Sequence, residues 1–174
     1  DLYRFVIGTN DQDATIGFRL ENSTLSYIDT VAFNSYFSWE GTPLPENFTY
    51  AGIRDTVIRN NTFHHIGFNS DHRSAVGIRI FYPDRLIFEG NHVHHTAQNG
   101  MHLHLSVIDS SKIYDFDPNE IKIGEILIKD NIFEKTCQGA SDCGGFKIGG
   151  SNRPYSHVFR DVLVVGNTFK HVFG

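Results

Sequence analysis

Four segments of the chain superpose on a single asparagine: TVIRNNTFHHI (56–66), LIFEGNHVHHT (86–96), ILIKDNIFEKT (126–136) and VLVVGNTFKHV (162–172). The anchors are Asn61, Asn91, Asn131 and Asn167. Two positions after each comes Phe63, Val93, Phe133 or Phe169, and three positions before it Ile58, Phe88, Ile128 or Val164, which are expected to point inward. A unit this short can bury its apolar face only against its neighbours, so the copies must stack and like residues must form columns. The segment IGFRLENSTLSYI (16–28) reads as a degenerate first copy around Asn22, although Leu25 then falls three positions on. Residues 1–50 fit the pattern least well.

A second piece recurs after three of the anchors: Gly77-Ile-Arg-Ile, Gly100-Met-His-Leu and Gly145-Phe-Lys-Ile, separated from their anchors by 16, 9 and 14 positions. Strict alternation makes each a strand, with Ile78 and Ile80, Met101 and Leu103, and Phe146 and Ile148 on its inner face. Composition agrees: 15 Phe, 7 Tyr and 16 Gly, without a helical-period segment, point to an all-β chain. Strand, asparagine bend, short strand, variable loop and strand make up one coil of a parallel β-helix, and the copies number about five. The anchor asparagines then form an internal amide ladder at a bend, or act as plain turn residues.

The bulk numbers bound the rest. With 174 residues the chain is read as one domain, 1–174, and as a fragment of a longer β-helix. A net charge of -5 without a Lys/Arg run suggests no nucleic-acid partner, and no apolar run is long enough for a membrane helix. No signal-peptide pattern opens the sequence. Cys137 and Cys143, six positions apart, favour a disulfide across a glycine-rich loop over two free thiols; they are too few for a zinc site. A disulfide would suit an oxidising compartment.

The pattern NNTFHHIG followed by GIRI, and GNHVHHTAQNGMHL, resembles the right-handed parallel β-helix repeat proteins, the pectate lyase-like superfamily of polysaccharide lyases, alginate lyases, alginate C5-epimerases and glycoside hydrolases. The resemblance covers about residues 50 to 174. It implies a right-handed solenoid and a polysaccharide ligand, and one such fold carries many chemistries.

On the strand Met101–Leu105 the alternation sends His102 and His104 outward. Their equivalents are Arg79 and Phe81 in one neighbouring copy and Lys147 and Gly149 in the other, so Arg79, His102 and Lys147 are expected to form an outward basic ladder with Phe81 beside it. Arg54 in AGIRD aligns with Arg160 and belongs to another strand. Cations in a column suit an anionic glycan, and an aromatic face suits a sugar ring. In lyase or epimerase chemistry Arg79 and Lys147 would hold a uronate carboxylate while His102 or His104 took the adjacent proton. The alternative is a solvated strand face whose cations align by chance.

Other candidates are weaker in kind. A hydrolase needs two carboxylates, and Asp71 and Asp142 precede the ladder strands, although loop Asp residues commonly cap turns. Trp39 is a possible sugar platform or a loop-packing residue. DFDPNE (115–120) resembles the FDPHE segment of alginate epimerases, but Asn119 replaces the histidine, and a turn is expected. The sequons at Asn22, Asn47 and Asn60 matter only in a secreted protein of a glycosylating source. His64 and His94 share a slot with Glu134 and Lys170, and His65 and His95 share the next with Lys135 and His171, which reads as a surface ladder rather than a ligand set. His102 and His104 with His72 lack any fixed zinc spacing, so no metal site is assigned. Calcium stays open through Asp71, Asp109, Asp115, Asp117 and Asp142, which show no EF-hand spacing, and no cofactor is required.

The expectation is an extracellular or cell-surface β-helix that cleaves or binds an anionic polysaccharide, as a lyase or glycoside hydrolase. The alternatives are a non-catalytic fibre or spike and a uronate epimerase.

Overall fold

The computed structural model describes residues 4–7, 15–35, 53–68, 75–81, 83–104, 124–139, 143–149 and 160–173. Among them every regular element is a strand, and every paired strand runs parallel to its neighbour. Three sheets result. The first is ordered β1 (Arg4–Ile7), β5 (Val31–Ser35), β8 (Ile78–Phe81), β11 (Met101–His104), β14 (Phe146–Gly149). In the second, β4 (Thr24–Ile28), β7 (Thr62–Ile66), β10 (His92–Thr96), β13 (Ile132–Glu134) and β16 (Thr168–Lys170) succeed one another. The third runs β2 (Thr15–Ile16), β6 (Ile53–Arg59), β9 (Pro83–Glu89), β12 (Gly124–Lys129), β15 (Arg160–Val165), with β3 (Arg19–Glu21) also paired to β6. The chain thus deposits successive strands in register on each sheet, as a stacked repeat requires.

Left-handed bends recur at fixed places and make this path possible. One column of positive φ holds Asn22, Asn60, Gly90, Asp130 and Gly166, residue types that enter this region at little cost. A second holds Tyr27, His65, His95, Lys135 and His171, and a third Asp55, Arg85, Glu125 and Asp161. For such side chains the conformation costs about 1–3 kcal/mol each, so stacking must over-determine it.

Asn61, Asn91 and Asn131 are buried and, with the half-buried Asn167, form a continuous amide ladder. The Asn91 Oδ1 accepts from the Asn61 main-chain N–H and from the Asn61 Nδ2, each at 3.0 Å. Asn131 does the same for Asn91 (2.8 and 3.1 Å), and Asn167 for Asn131 (2.9 and 2.9 Å). Each Nδ2 also donates to the carbonyl three residues before the preceding anchor: Leu20, Ile58, Phe88 and Ile128. Main-chain groups freed at the bend are thereby satisfied without water.

This ladder corrects the anchor of the first copy. The Ser23 N–H donates to Asn61 Oδ1 at 2.9 Å, and Leu25 pairs with Phe63, so Ser23 holds the anchor place. Asn22 occupies the left-handed slot before it, as Asn60 does in the next copy. The offset that looked broken is intact, because an asparagine suits both slots and the wrong one was aligned.

Inward positions form the core: Ile58, Phe88, Ile128, Phe63, Val93 and Phe133 are fully or almost fully buried. Phe133 stacks between Phe88 (6.4 Å) and Phe169 (5.2 Å). Gly77, Gly100 and Gly145 immediately precede β8, β11 and β14, where copies approach too closely for a side chain. A Cβ on Gly100 would lie 2.6 Å from the Gly145 carbonyl oxygen and 2.9 Å from Phe133 Cδ1. Three expected core residues depart from the pattern: Ile148, Val164 and Phe169 are 44%, 44% and 50% exposed. They lie on β14, β15 and β16, which end their sheets among the described residues, so only one side of each is covered.

Candidate functional site

The register of the first sheet places Asn34 opposite Arg79, Arg79 opposite His102 and His102 opposite Lys147. Successive members of this row are one strand spacing apart, about 4.8 Å. Their neighbours Ile78, Ile80, Met101 and Leu103 are completely buried, which turns the row outward. Arg79, His102 and Lys147 are each half-buried, whereas Asn34 is buried. Burial lowers the Arg79 guanidinium from its ordinary pKa. Arginine still remains charged across the working range, because its reference value is so high.

The adjoining outward row pairs Phe81 with His104 and His104 with Gly149. The Phe81 N–H donates to Ser35 Oγ at 2.9 Å, which ties this row to β5. Gly149 adds no side chain beside the cations: a Cβ there would sit 3.8 Å from His102 Nε2 and 3.9 Å from Lys147 Cε, in ordinary contact with both. The imidazole of His102 and the end of the Lys147 side chain therefore flank the same glycine. The His104 side chain lies outside what is described, as do Asp71, Asp142 and Trp39, the loop histidine His72, and the acidic residues Asp109, Asp115 and Asp117.

Arg54 stands apart, as its alignment implied. It is on β6 in the third sheet, opposite Asp84, with Arg54 Nε 3.1 Å from Asp84 Oδ2. Arg85 bridges Asp84 and Asp55, so this sheet carries a mixed-charge outer ladder. Cys137 and Cys143 are joined in a disulfide with Cα atoms 5.6 Å apart. The bond ties the turn after β13 to the approach to β14, and the Gly144 N–H is held by Asn99 Oδ1 at 2.9 Å. Both contacts lie just upstream of Lys147 and help set its strand.

Sequence reasoning missed two contributors. Asn34 was hidden because the first copy was misaligned, and correct placement of Ser23 exposes the link from β4 to β5. Gly149 was visible as a partner of His104, but its importance depends on which way the His102 ring leans. The second-sheet histidines face outward, half-buried and stacked on one another rather than simply solvated. Among the described residues no group of three or more His, Cys, Asp or Glu side chains is arranged to hold a metal ion.

Comparison of the chain with family models, with curated proteins and with solved structures returns no match.

Proposed function

We propose that the chain is a right-handed parallel β-helix of about five coils whose first sheet binds an anionic polysaccharide along the Asn34, Arg79, His102, Lys147 row, and that it acts there as a lyase. The observation that carries this reading is the register that sets two cations on either side of an imidazole. A uronate carboxylate held by Arg79 and Lys147 loses its charge penalty on enolisation, which makes the neighbouring C–H acidic enough for a base. Neutral His102 takes that proton, the glycosidic oxygen on the adjacent carbon departs and is protonated by water, and a carbon–carbon double bond forms in the sugar. Gly149 puts no side chain between His102 and the sugar, and Phe81 supplies an apolar edge. A hydrolase would rest on Asp71 and Asp142, which lie outside the described residues. The disulfide favours an extracellular setting.

The test is a panel of uronate and sulfated polysaccharides, read for reducing ends and for unsaturated products absorbing in the ultraviolet. His102→Ala is expected to abolish turnover while keeping binding and melting temperature. Binding without any turnover by the parent protein would instead identify a non-catalytic glycan-binding surface. Proton exchange without an unsaturated product would identify an epimerase, and new reducing ends without one a hydrolase. If no polymer on the panel binds, the reading fails.

A further inference from the structure

The second sheet carries a group of imidazoles that the glycan reading does not use. Along an extended strand, consecutive side chains point to opposite faces. At His65 and His95 the backbone is left-handed (φ 55° and 51°), and this turns each side chain to the same side as its predecessor. Two adjacent pairs result, with His64 and His65 Nδ1 atoms 2.8 Å apart and those of His94 and His95 2.7 Å apart. Stacking then doubles the arrangement. His64 lies on His94 with ring centroids 5.0 Å apart, and His65 on His95 at 4.8 Å, the planes within 5° and 3° of parallel. Tyr27 stacks on the open face of His65 at 4.9 Å, and His92 sits 4.4 Å from His94 with its Nε2 3.3 Å from Glu134 Oε2.

Two nitrogens bound to one ion at about 2.0–2.1 Å and at a right angle are separated by about 2.9 Å. Each Nδ1 pair already has nearly that spacing, held by a single shared proton that an ion would replace. We propose that the His64–His65 and His94–His95 steps form a bis-imidazole binding site for a divalent transition-metal ion, with Cu2+ preferred and Zn2+ or Ni2+ weaker. Imidazole donors and the general affinity order of these ions set that preference. The two steps are one strand spacing apart, so a second dication is repelled and the array takes one ion tightly. Two side chains and water complete its shell, consistent with the absence of any three-ligand group among the described residues. The facing titratable and charged groups are His92, Glu134 and Lys135, of which Lys135 opposes a cation and Glu134 favours it. This site is independent of the first-sheet reading.

The experiment titrates the whole chain with CuCl2 at pH 7.5 by calorimetry, with electron paramagnetic resonance reporting equatorial nitrogen donors. One tight equivalent is expected, retained in His102→Ala. It should weaken at least tenfold in the double variant His64→Ala/His94→Ala, which removes one donor from each step. His65→Asn/His95→Asn keeps residues that tolerate the left-handed bend and should weaken binding equally, so a folding defect in the first variant cannot mimic the result. Unchanged affinity in the two double variants, no binding by the parent chain, or loss on His102→Ala would each overturn the assignment.

Discussion

Replacing Asn91 by Ala removes one rung from the middle of the amide ladder. Four groups lose a partner: the Asn61 N–H and Asn61 Nδ2, which Asn91 Oδ1 accepts, and the Ile58 carbonyl and Asn131 Oδ1, which Asn91 Nδ2 serves. Two of them keep another bond, since Asn61 Nδ2 still reaches the Leu20 carbonyl and Asn131 Oδ1 still accepts the main-chain N–H of residue 91. The Asn61 N–H and the Ile58 carbonyl are left without that bond, inside a position where Asn91 is only 1% exposed. At about 1–3 kcal/mol for each buried group left unsatisfied, the substitution should cost about 2–6 kcal/mol. Urea unfolding followed by far-ultraviolet circular dichroism reads this as a lower midpoint. Asn60→Ala, at a neighbouring exposed position, supplies a local contrast because it touches the bend and not the ladder. A loss below about 1 kcal/mol for Asn91→Ala would refute the view that the ladder holds the copies together.

Two further outcomes follow from the same structure. His94 has its pKa lowered to about 4, first by burial and then by His92, His64, His95 and His65. A depressed histidine is neutral in the folded chain while the unfolded chain binds the proton, so the stability it contributes is complete above about pH 6.5 and lost as pH falls towards 4. The group is only half-buried, so the full shift is discounted for solvent screening to about 1 kcal/mol. Parent and His94→Gln proteins unfolded in urea at pH 7 and pH 4.5 test this: the parent should lose more, and equal losses would contradict the assignment. Reducing the Cys137–Cys143 bond, whose partners are six positions apart, opens a short loop and should cost about 2 kcal/mol by the loop-entropy account. Unfolding with and without reductant checks it, and coincident midpoints would show that the loop is held by other contacts.

Much of the architecture was legible because its signals are local. Alternation identified the strands, and the spacing of Asn61, Asn91, Asn131 and Asn167 aligned the copies, which was enough to pair Arg79 with His102 and His102 with Lys147. The first copy was misread by one residue because Asn22 and Ser23 occupy neighbouring slots with different demands, a left-handed bend and a buried anchor. Either slot accepts asparagine. The six-residue spacing of Cys137 and Cys143 points to a loop clamp, and the two are bonded.

Strand positions, inward faces and shared rows can be read along the chain alone, because period-two alternation and a repeated anchor act over a few residues. Only the tertiary structure decided that consecutive histidines point the same way, since that depends on left-handed bends at His65 and His95 which no side-chain preference announces. It also decided that Ile148, Val164 and Phe169 are exposed, although their pattern is that of the core. Burial in a stacked repeat is a property of what lies above and below a residue, and that information is not carried by the residue itself.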